Sequence, residues 1–195
     1  MDPASLAPDR LPVLRELGFN RVSFGVQDLD ARVQELIGRN QTPEQTRAAV
    51  GQARGLGFGG VNLDLVYGLP GQTPATFRRT LEGILDLAPD RLAIYAFAYL
   101  PRLMAHQRRL PAEALPRAEQ RLELLILASE FLEKHGYVPI GMDHFARPGD
   151  ELARAAASGR LVRSFMGYTV AAGSDLLGFG PTAISDVAGI YSQNE

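Results

Sequence analysis

Apolar residues follow two different periods along the chain, one typical of strands and one typical of helices. Short runs rich in β-branched and aromatic residues each end in a polar side chain, which predicts strands followed by loops. These runs are Arg21–Gln27, Gly60–Asp64, Arg91–Tyr99 and Tyr137–His144. Between and beyond them, apolar residues recur every three or four positions, which predicts helices. The predicted helices cover residues 9–17, 28–37, 42–56, 73–88, 116–135 and 150–157.

The order of these elements predicts a parallel α/β fold. Strand, loop and helix repeat at intervals of roughly 30–40 residues, as in successive βαβ units. The sequence has no G-x-G-x-x-G motif after a strand and no G-K-[ST] phosphate-binding signature. We therefore expect a (β/α) barrel rather than an open nucleotide-binding sheet. The predicted barrel part covers residues 1–160, and residues 161–195 form a glycine-rich segment after the barrel, with one strand at Asp175–Phe179.

Polar residues at the ends of the predicted strands indicate where a ligand would bind. In parallel α/β folds, ligands gather at the carboxyl ends of the strands. Gln27, Asp64, Asp143 and His144 are therefore expected to face a common site. Asp64 also interrupts an apolar strand, and a buried carboxylate needs either a hydrogen-bonded ligand or a structural partner. Gln27 has a donor and an acceptor for the carboxylate or ribose of a small ligand.

Several charged residues have competing interpretations. Arg39 follows a glycine, and it suits a bidentate clamp on a carboxylate or a solvated surface position. His144 suits a general acid or base, or a structural histidine held by Asp143. Asp28 is interpreted as the N-cap of the following helix. Arg147 suits the recognition of an anion.

A basic loop follows the third predicted strand. Arg102, Arg108 and Arg109 lie in it and suit an acidic substrate, and a solvated run of charge is the alternative interpretation. His106 and His135 are expected at solvated surface positions. No serine–histidine–aspartate order and no carboxylate pair indicates a nucleophile or an acid–base couple, so the sequence assigns no catalytic residue.

Composition narrows the class of protein. The chain has 195 residues, 46% of them hydrophobic, which is enough for one core, and its formal net charge is −2. Without a basic surface or an apolar run of about 20 residues, we expect no nucleic acid or membrane partner. The sequence shows no signal-peptide pattern, so we expect a cytoplasmic protein. The absence of cysteine excludes disulfides and thiolate metal ligands from these residues, and we assign no metal ligand to the three histidines.

Several segments carry a resemblance to a known family. They are GFNRVSFGVQD at 18–28, NLDLVYGLP at 62–70, GMDHFA at 141–146, FMGYT at 165–169, DLLG at 175–178 and AIS at 183–185. In unbroken order over nearly the whole chain, they resemble the oxygen-independent coproporphyrinogen III oxidases, which are radical S-adenosylmethionine enzymes. The first two segments also occur in wider relatives, whereas GMDHFA with GYT is more specific to the oxidases. The resemblance implies a partial parallel (β/α) barrel of the radical S-adenosylmethionine type, truncated at both ends.

The resemblance also implies cofactors and the residues that contact them. Members of the family use two S-adenosylmethionine molecules and one [4Fe–4S] cluster. Gln27, Arg39, Asp64 and Ala98 match positions that contact the second S-adenosylmethionine. Ile184 matches a position that contacts the S-adenosylmethionine bound to the cluster.

The family's reaction gives the expected substrate and partners. These enzymes oxidatively decarboxylate two propionates of coproporphyrinogen III to the vinyl groups of protoporphyrinogen IX, using a 5′-deoxyadenosyl radical. The resemblance implies this small-molecule substrate, an electron donor for the cluster and a monomeric protein. We also expect Arg102, His144 and Arg147 to contact the substrate, an assignment that the resemblance does not make.

The chain departs from the family at the iron–sulfur cluster. The family holds its cluster with a C-x-x-x-C-x-x-C loop, and this chain has no cysteine. We therefore expect an internal piece of such a protein that is inactive by itself. A non-catalytic haem-binding protein, like the haem chaperones related to these oxidases, is the alternative interpretation.

Overall fold

A computed structural model describes residues 1–164, 167–171 and 173–195. Phe165 and Met166, which belong to one of the family segments, lie outside the described residues, as does Ala172. The helices are α1 Arg10–Glu16, α2 Ala31–Leu36, α3 Pro43–Gly55, α4 Pro74–Asp86, α5 Ala118–Lys134 and α6 Glu151–Ala157, with short 3-10 helices at Pro3–Ser5, Ala105–Arg109 and Ala112–Ala114. The strands are β1 Arg21–Gln27, β2 Gly60–Tyr67, β3 Arg91–Ala96, β4 Val138–Gly141, β5 His144–Ala146, β6 Val162–Ser164, β7 Gly167–Thr169, β8 Ile184–Val187 and β9 Ile190–Gln193.

The main sheet has five strands in the order β1-β2-β3-β5-β4. β1, β2 and β3 are parallel, as the strand–loop–helix repeat predicted. The prediction of one strand over Tyr137–His144 is wrong, because a turn at Met142 and Asp143 divides it. Gly141 and Met142 both have positive φ, so the chain reverses there. As a result β5 runs antiparallel to β3 and separates it from β4.

The core lies between one face of the sheet and the helices α3, α4 and α5. Alternate residues of the strands are fully buried on that face, among them Phe24, Leu63 and Leu92. Period-two alternation places the intervening polar residues, such as Ser23 and Asp64, on the opposite face. The sheet therefore has an apolar face that holds the fold together and a polar face that is available for binding.

Several helix starts follow local signals in the sequence, and one predicted cap is wrong. Thr42 and Thr73 each cap a helix whose first residue is proline, and both helices have a capping box. The assignment of Asp28 as an N-cap is wrong, since Asp30 caps α2 by accepting from the backbone N–H of Arg32 and Val33. Asp28 is instead fully buried.

The segment after residue 160 contains hairpins where a single strand was predicted. β6 pairs with β7, and β8 pairs with β9, both antiparallel. The predicted strand Asp175–Phe179 is absent from the described residues, and only Leu176 forms a bridge, to Asp186. Gly178 packs so closely on Ile184 that an added Cβ would lie 2.6 Å from its carbonyl oxygen. Among the described residues, no helix combines the length and apolarity that a membrane span requires.

Candidate functional site

The carboxyl ends of β1, β2 and β3 open onto a cleft of about 700 Å³. Its walls come from these strand ends, from the loop after α2 and from the 3-10 helix Ala105–Arg109. The lining residues include Gln27, Leu36, Arg39, Val66, Phe97, His106, Gln107 and Arg109. This is the edge at which parallel α/β folds bind ligands. The cleft is therefore the candidate site.

Gln27 ends β1 in a backbone conformation that is unusual for a side-chain-bearing residue. Its φ is +68°, and the pairing of β1 with β2 shifts register between Gly25 and Gln27. The side chain folds back over Gly25, where an added Cβ would lie 2.8 Å from the Gln27 amide nitrogen. Because residue 25 is glycine, the Gln27 amide can pack where a Cβ of residue 25 would otherwise crowd it.

Arg39 lies beside Gln27 and is fixed to the same strand end. Its guanidinium donates to the carbonyl of Gly25 and to Oε1 of Gln41, each at 2.9 Å, and lies 3.1 Å from Asp2. The Arg39 Nε is buried and has no hydrogen-bond partner among the described residues. A buried donor without an acceptor is costly, so this N–H suits a ligand oxygen.

Asp64 pairs with Gly25 in the register of β1 and β2, so the three predicted residues Gln27, Arg39 and Asp64 meet around that glycine. The Asp64 carboxylate accepts from the Ser23 hydroxyl at 2.9 Å and from the Asn62 amide at 2.6 Å. The structural partners are thus present, and the carboxylate can accept about two further hydrogen bonds. Asp64 lies inside β2 and is not among the residues that line the cleft.

The other two positions implied by the resemblance, Ala98 and Ile184, lie away from Gly25. The predicted strand Arg91–Tyr99 ends at Ala96, so Ala98 lies in the exposed segment after β3. Its carbonyl accepts from the amide of Gln107 at 2.9 Å, which links it to the cleft wall. Ile184 pairs with Gln193 in the β8–β9 hairpin and is not among the residues that line the cleft.

Asp143 and His144 lie farther along the polar face of the sheet. His144 Nδ1 is 3.2 Å from the Asp143 carboxylate, the arrangement expected of a histidine held by its neighbour. The imidazole is edge-on to Tyr95 at 5.9 Å and to Tyr168 at 5.6 Å between ring centroids. Partial burial, and then the charges of Asp64 and Asp143, raise the pKa of Tyr95. The structure therefore joins Asp64 to His144 through one stripe of polar and aromatic groups.

The structure separates the two remaining substrate candidates from the cleft. Arg147 donates from Nε to the carbonyl of Pro89 at 3.0 Å, and its guanidinium carbon lies 5.8 Å from the centroid of the Tyr137 ring. This is the amino-terminal edge of the sheet, opposite the cleft. Arg102 is exposed in the turn that precedes the 3-10 helix and is not a lining residue of the cleft.

Sequence reasoning missed a buried polar network behind the cleft. The Asp28 carboxylate accepts from the Thr80 hydroxyl at 2.5 Å, the Gln72 amide at 2.6 Å and the backbone of Asp30 at 2.7 Å. Gln72 Oε1 in turn accepts from the backbone N–H groups of Gly68 and Leu69. Burial raises the pKa of Asp28, against the opposing effect of these hydrogen bonds. The network fastens the loop after β2 to the end of β1.

His106 and Arg109 both line the cleft. His106 is exposed, as predicted, and the sequence left open whether Arg109 binds an acidic substrate or is only solvated. Their spacing of three residues was the available signal, since side chains three apart eclipse one another in a 3-10 helix. The sequence did not predict that helix in the irregular stretch after β3.

The described residues do not fit an iron–sulfur cluster. The chain has no cysteine, and these clusters are held mainly by cysteine thiolates. Within the described ranges, no three histidine, aspartate or glutamate side chains come together as a group able to hold a metal ion. Any such cluster would need ligands from outside this chain.

The comparisons with known proteins agree with one another. Residues 2–84 match the radical SAM superfamily. The chain is 50% identical to the oxygen-independent coproporphyrinogen III oxidase of Pseudomonas aeruginosa over 194 residues, which are 100% of this chain and 42% of that protein. It is 46% identical to the oxidase of Synechocystis sp., again with 42% of that protein covered. The chain thus spans about two fifths of the length of the curated relatives that it matches.

A solved structure agrees with these relatives. The coproporphyrinogen III oxidase from Escherichia coli, described as a radical SAM enzyme, matches with a TM-score of 0.93 and 47% identity. The match covers 100% of this chain and 45% of that one. An archaeal Elp3 from Methanocaldococcus infernus, with a TM-score of 0.55 and 22% identity, shares the fold alone. The predicted parallel α/β fold of the radical S-adenosylmethionine type is confirmed. Along its whole length the chain is similar to part of the oxygen-independent coproporphyrinogen III oxidases, and its residues 2–84 match the radical SAM superfamily.

Proposed function

We propose that this chain works as part of an oxygen-independent coproporphyrinogen III oxidase. Such a protein oxidatively decarboxylates two propionates of coproporphyrinogen III to the vinyl groups of protoporphyrinogen IX. The observation that carries the proposal is 50% identity to an oxidase of that name along the entire chain. Because the chain covers 42% of that relative, the activity is proposed for an assembled protein and not for these residues alone.

The cleft at the carboxyl edge would hold S-adenosylmethionine, the molecule that supplies the radical in this superfamily. Gln27 has an amide donor and acceptor for the amino-acid or ribose groups of the cofactor. The unpartnered Nε of Arg39 suits its carboxylate, and Asp64 suits ribose hydroxyls or the ammonium group. Ala98 leaves room next to Gln107, and Ile184 would contact the cofactor bound at the cluster. These residues would bind the cofactor and orient it.

The 195 residues are expected to be inactive by themselves. Reductive cleavage of the cofactor needs a [4Fe–4S] cluster, and this chain has no thiolate to hold one. The isolated chain should therefore show no cleavage of S-adenosylmethionine by chromatography, with or without dithionite. Cleavage at a rate above the protein-free control would contradict this assignment.

A chimera tests the proposed activity. The matched stretch of the Pseudomonas aeruginosa oxidase is replaced by residues 1–195, and conversion of coproporphyrinogen III is followed by porphyrin chromatography under anaerobic conditions. We expect protoporphyrin to form, and we expect the same chimera with Asp64→Asn to form at least about tenfold less, since a charged hydrogen bond would be lost. A chimera that folds, contains its cluster and forms no vinyl product would overturn the proposal. As a control, the unchanged Pseudomonas aeruginosa oxidase is reconstituted in parallel, which shows whether the procedure assembles the cluster.

The alternative is a non-catalytic haem-binding protein. Stoichiometric haem binding without cofactor turnover by the chimera would favour that function over the oxidase. The electron donor, the monomeric state and the cytoplasmic location remain predictions, as does the absence of nucleic acid and membrane partners.

A further inference from the structure

The 3-10 helix Ala105–Arg109 is held against the end of β3 by one buried side chain. Gln107 is 7% exposed, and its amide donates to the Ala98 carbonyl at 2.9 Å. Its Oε1 accepts from the backbone of Leu100 at 2.5 Å. Two bonds to the backbone fix the rotation of this short helix about its axis. The directions of the neighbouring side chains follow from that rotation.

His106 and Arg109 are three residues apart in this helix, so their side chains lie on the same side of it. Both line the cleft. Arg108 points elsewhere, because its Nε donates to the carbonyl of Pro101 at 3.0 Å and it is not a lining residue. The helix thus presents two basic groups to the cleft and one basic group away from it.

The charges around the cleft are unevenly balanced. The Arg39 guanidinium is 3.1 Å from the Asp2 carboxylate, and the Glu35 carboxylate is 2.7 Å from Arg32. Within residues 1–164, 167–171 and 173–195, Arg109 forms no ion pair. Arg109 is therefore the lining residue whose positive charge is left for an anion. Arginine binds carboxylates well because its planar N–H groups match their geometry.

The wall beside Arg109 is apolar and suits an amphipathic molecule. The same cleft is lined by Leu36, Val66, Leu69, Phe97 and Leu110. We propose that Arg109, with His106 beside it, binds a carboxylate of the molecule that occupies the cleft. This inference rests on the proposed function and deepens it, since two sources of that carboxylate fit. One is the amino-acid end of S-adenosylmethionine, and the other is a propionate of the tetrapyrrole.

Binding measurements on the 195-residue chain distinguish the two sources. The probes are S-adenosylhomocysteine and coproporphyrin III, which have carboxylates, and 5′-methylthioadenosine and etioporphyrin, which have none. In Arg109→Gln we expect affinity for one carboxylate probe to fall at least about tenfold, as for a lost charged hydrogen bond, with partial recovery in Arg109→Lys. The carboxylate-free probes should bind both proteins equally. Arg108→Gln is the matched control and should change every affinity by less than about twofold.

The outcome assigns the ligand or overturns the inference. A loss confined to S-adenosylhomocysteine indicates the cofactor carboxylate, and a loss confined to coproporphyrin III indicates a propionate. If a carboxylate probe binds the parent chain, and Arg109→Gln and Arg108→Gln change its affinity alike, the inference is wrong.

A second measurement does not depend on the proposed function. Sodium propionate is titrated into the nitrogen-15-labelled chain, and the arginine Nε–H resonances are followed at constant ionic strength with sodium chloride. The Arg109 resonance should shift and saturate while the Arg108 resonance does not. Equal shifts at both arginines, or none at Arg109, would refute the carboxylate site even if S-adenosylhomocysteine binds elsewhere. A saturating Arg109 shift with no binding of either large probe would instead reject the proposed function alone.

Discussion

The buried carboxylate of Asp28 gives the sharpest test of how the cleft is held in place. Asp28 is 0% exposed, and its two oxygens accept from three donors. Oδ1 accepts from Thr80 and from the backbone of Asp30, and Oδ2 accepts from Gln72. The substitution Asp28→Asn keeps the volume and replaces one acceptor with a donor. It therefore isolates hydrogen bonding from packing.

Neither orientation of the new amide satisfies every neighbour. If its nitrogen replaces Oδ2, it faces Gln72 Nε2, and Gln72 cannot turn over because its Oε1 holds the backbone of Gly68 and Leu69. If its nitrogen replaces Oδ1, the Thr80 hydroxyl can reverse and accept, but the Asp30 N–H loses its acceptor. At least one buried donor is left unpaired in either case, which costs about 1–3 kcal/mol. For a chain of this size, the melting temperature should fall by about 2–12 °C.

Urea denaturation at pH 7, followed by circular dichroism, measures this cost. Asp86→Asn is the matched control, since Asp86 is an exposed aspartate on α4, and it should change the free energy of unfolding by less than about 0.5 kcal/mol. If Asp28→Asn is as stable as the parent chain, the three hydrogen bonds do not offset the desolvation of the carboxylate. The network would then not be what fixes the loop after β2.

The remaining predictions concern pH, the core and one buried hydroxyl. Burial raises the pKa of Asp28 above its ordinary 3.8, so the native state binds this proton more tightly than the unfolded state does. The stability that Asp28 contributes is then complete below the unfolded pKa and is lost as the pH rises through the native pKa. The deficit of Asp28→Asn in urea should therefore be larger near pH 4 than at pH 7, and the opposite trend would contradict the pKa direction. Leu63→Ala removes a fully buried side chain and should lower the free energy of unfolding by about 2–5 kcal/mol in the same urea assay. Leu103 is exposed, so Leu103→Ala should lower it by less than about 0.5 kcal/mol. Tyr137→Phe removes the bond from the hydroxyl to the Pro89 carbonyl at 2.7 Å and should cost about 0.5–1.5 kcal/mol by thermal unfolding, whereas an unchanged melting temperature would show that the bond contributes nothing net.

Local patterns were enough to predict most of the elements of the barrel part. The capping boxes at Thr42 and Thr73 fix the starts of α3 and α4 through contacts within four residues. The prediction failed at Tyr137–His144, where the apolar run continues through a turn made by Gly141 and Met142. It also failed at Asp175–Phe179, because pairing partners of such short segments are chosen by tertiary contacts rather than by propensity.

The candidate site was predicted in part. The carboxyl-edge rule predicted Gln27 and Asp64, and the resemblance added Arg39. These three residues meet around Gly25. Arg147, which follows the predicted strand Tyr137–His144, was also expected to contact the substrate, but the structure has it at the opposite edge of the sheet. A strand-end residue in antiparallel β5 leaves the sheet in the reverse direction, and only the pairing of β5 with β3 reveals this.

The sequence by itself determined the periodic elements, the parallel order of β1–β3 and the polar residues Gln27 and Asp64 on two of these strands. Those features depend on nearest neighbours and on an alternation that every strand imposes. Only the tertiary structure decided that Asp28 is buried and paired with Thr80 and Gln72, and that Arg109 lines the cleft with no ion-pair partner among the described residues. Burial and charge compensation join residues far apart in the chain, so no local pattern contains them.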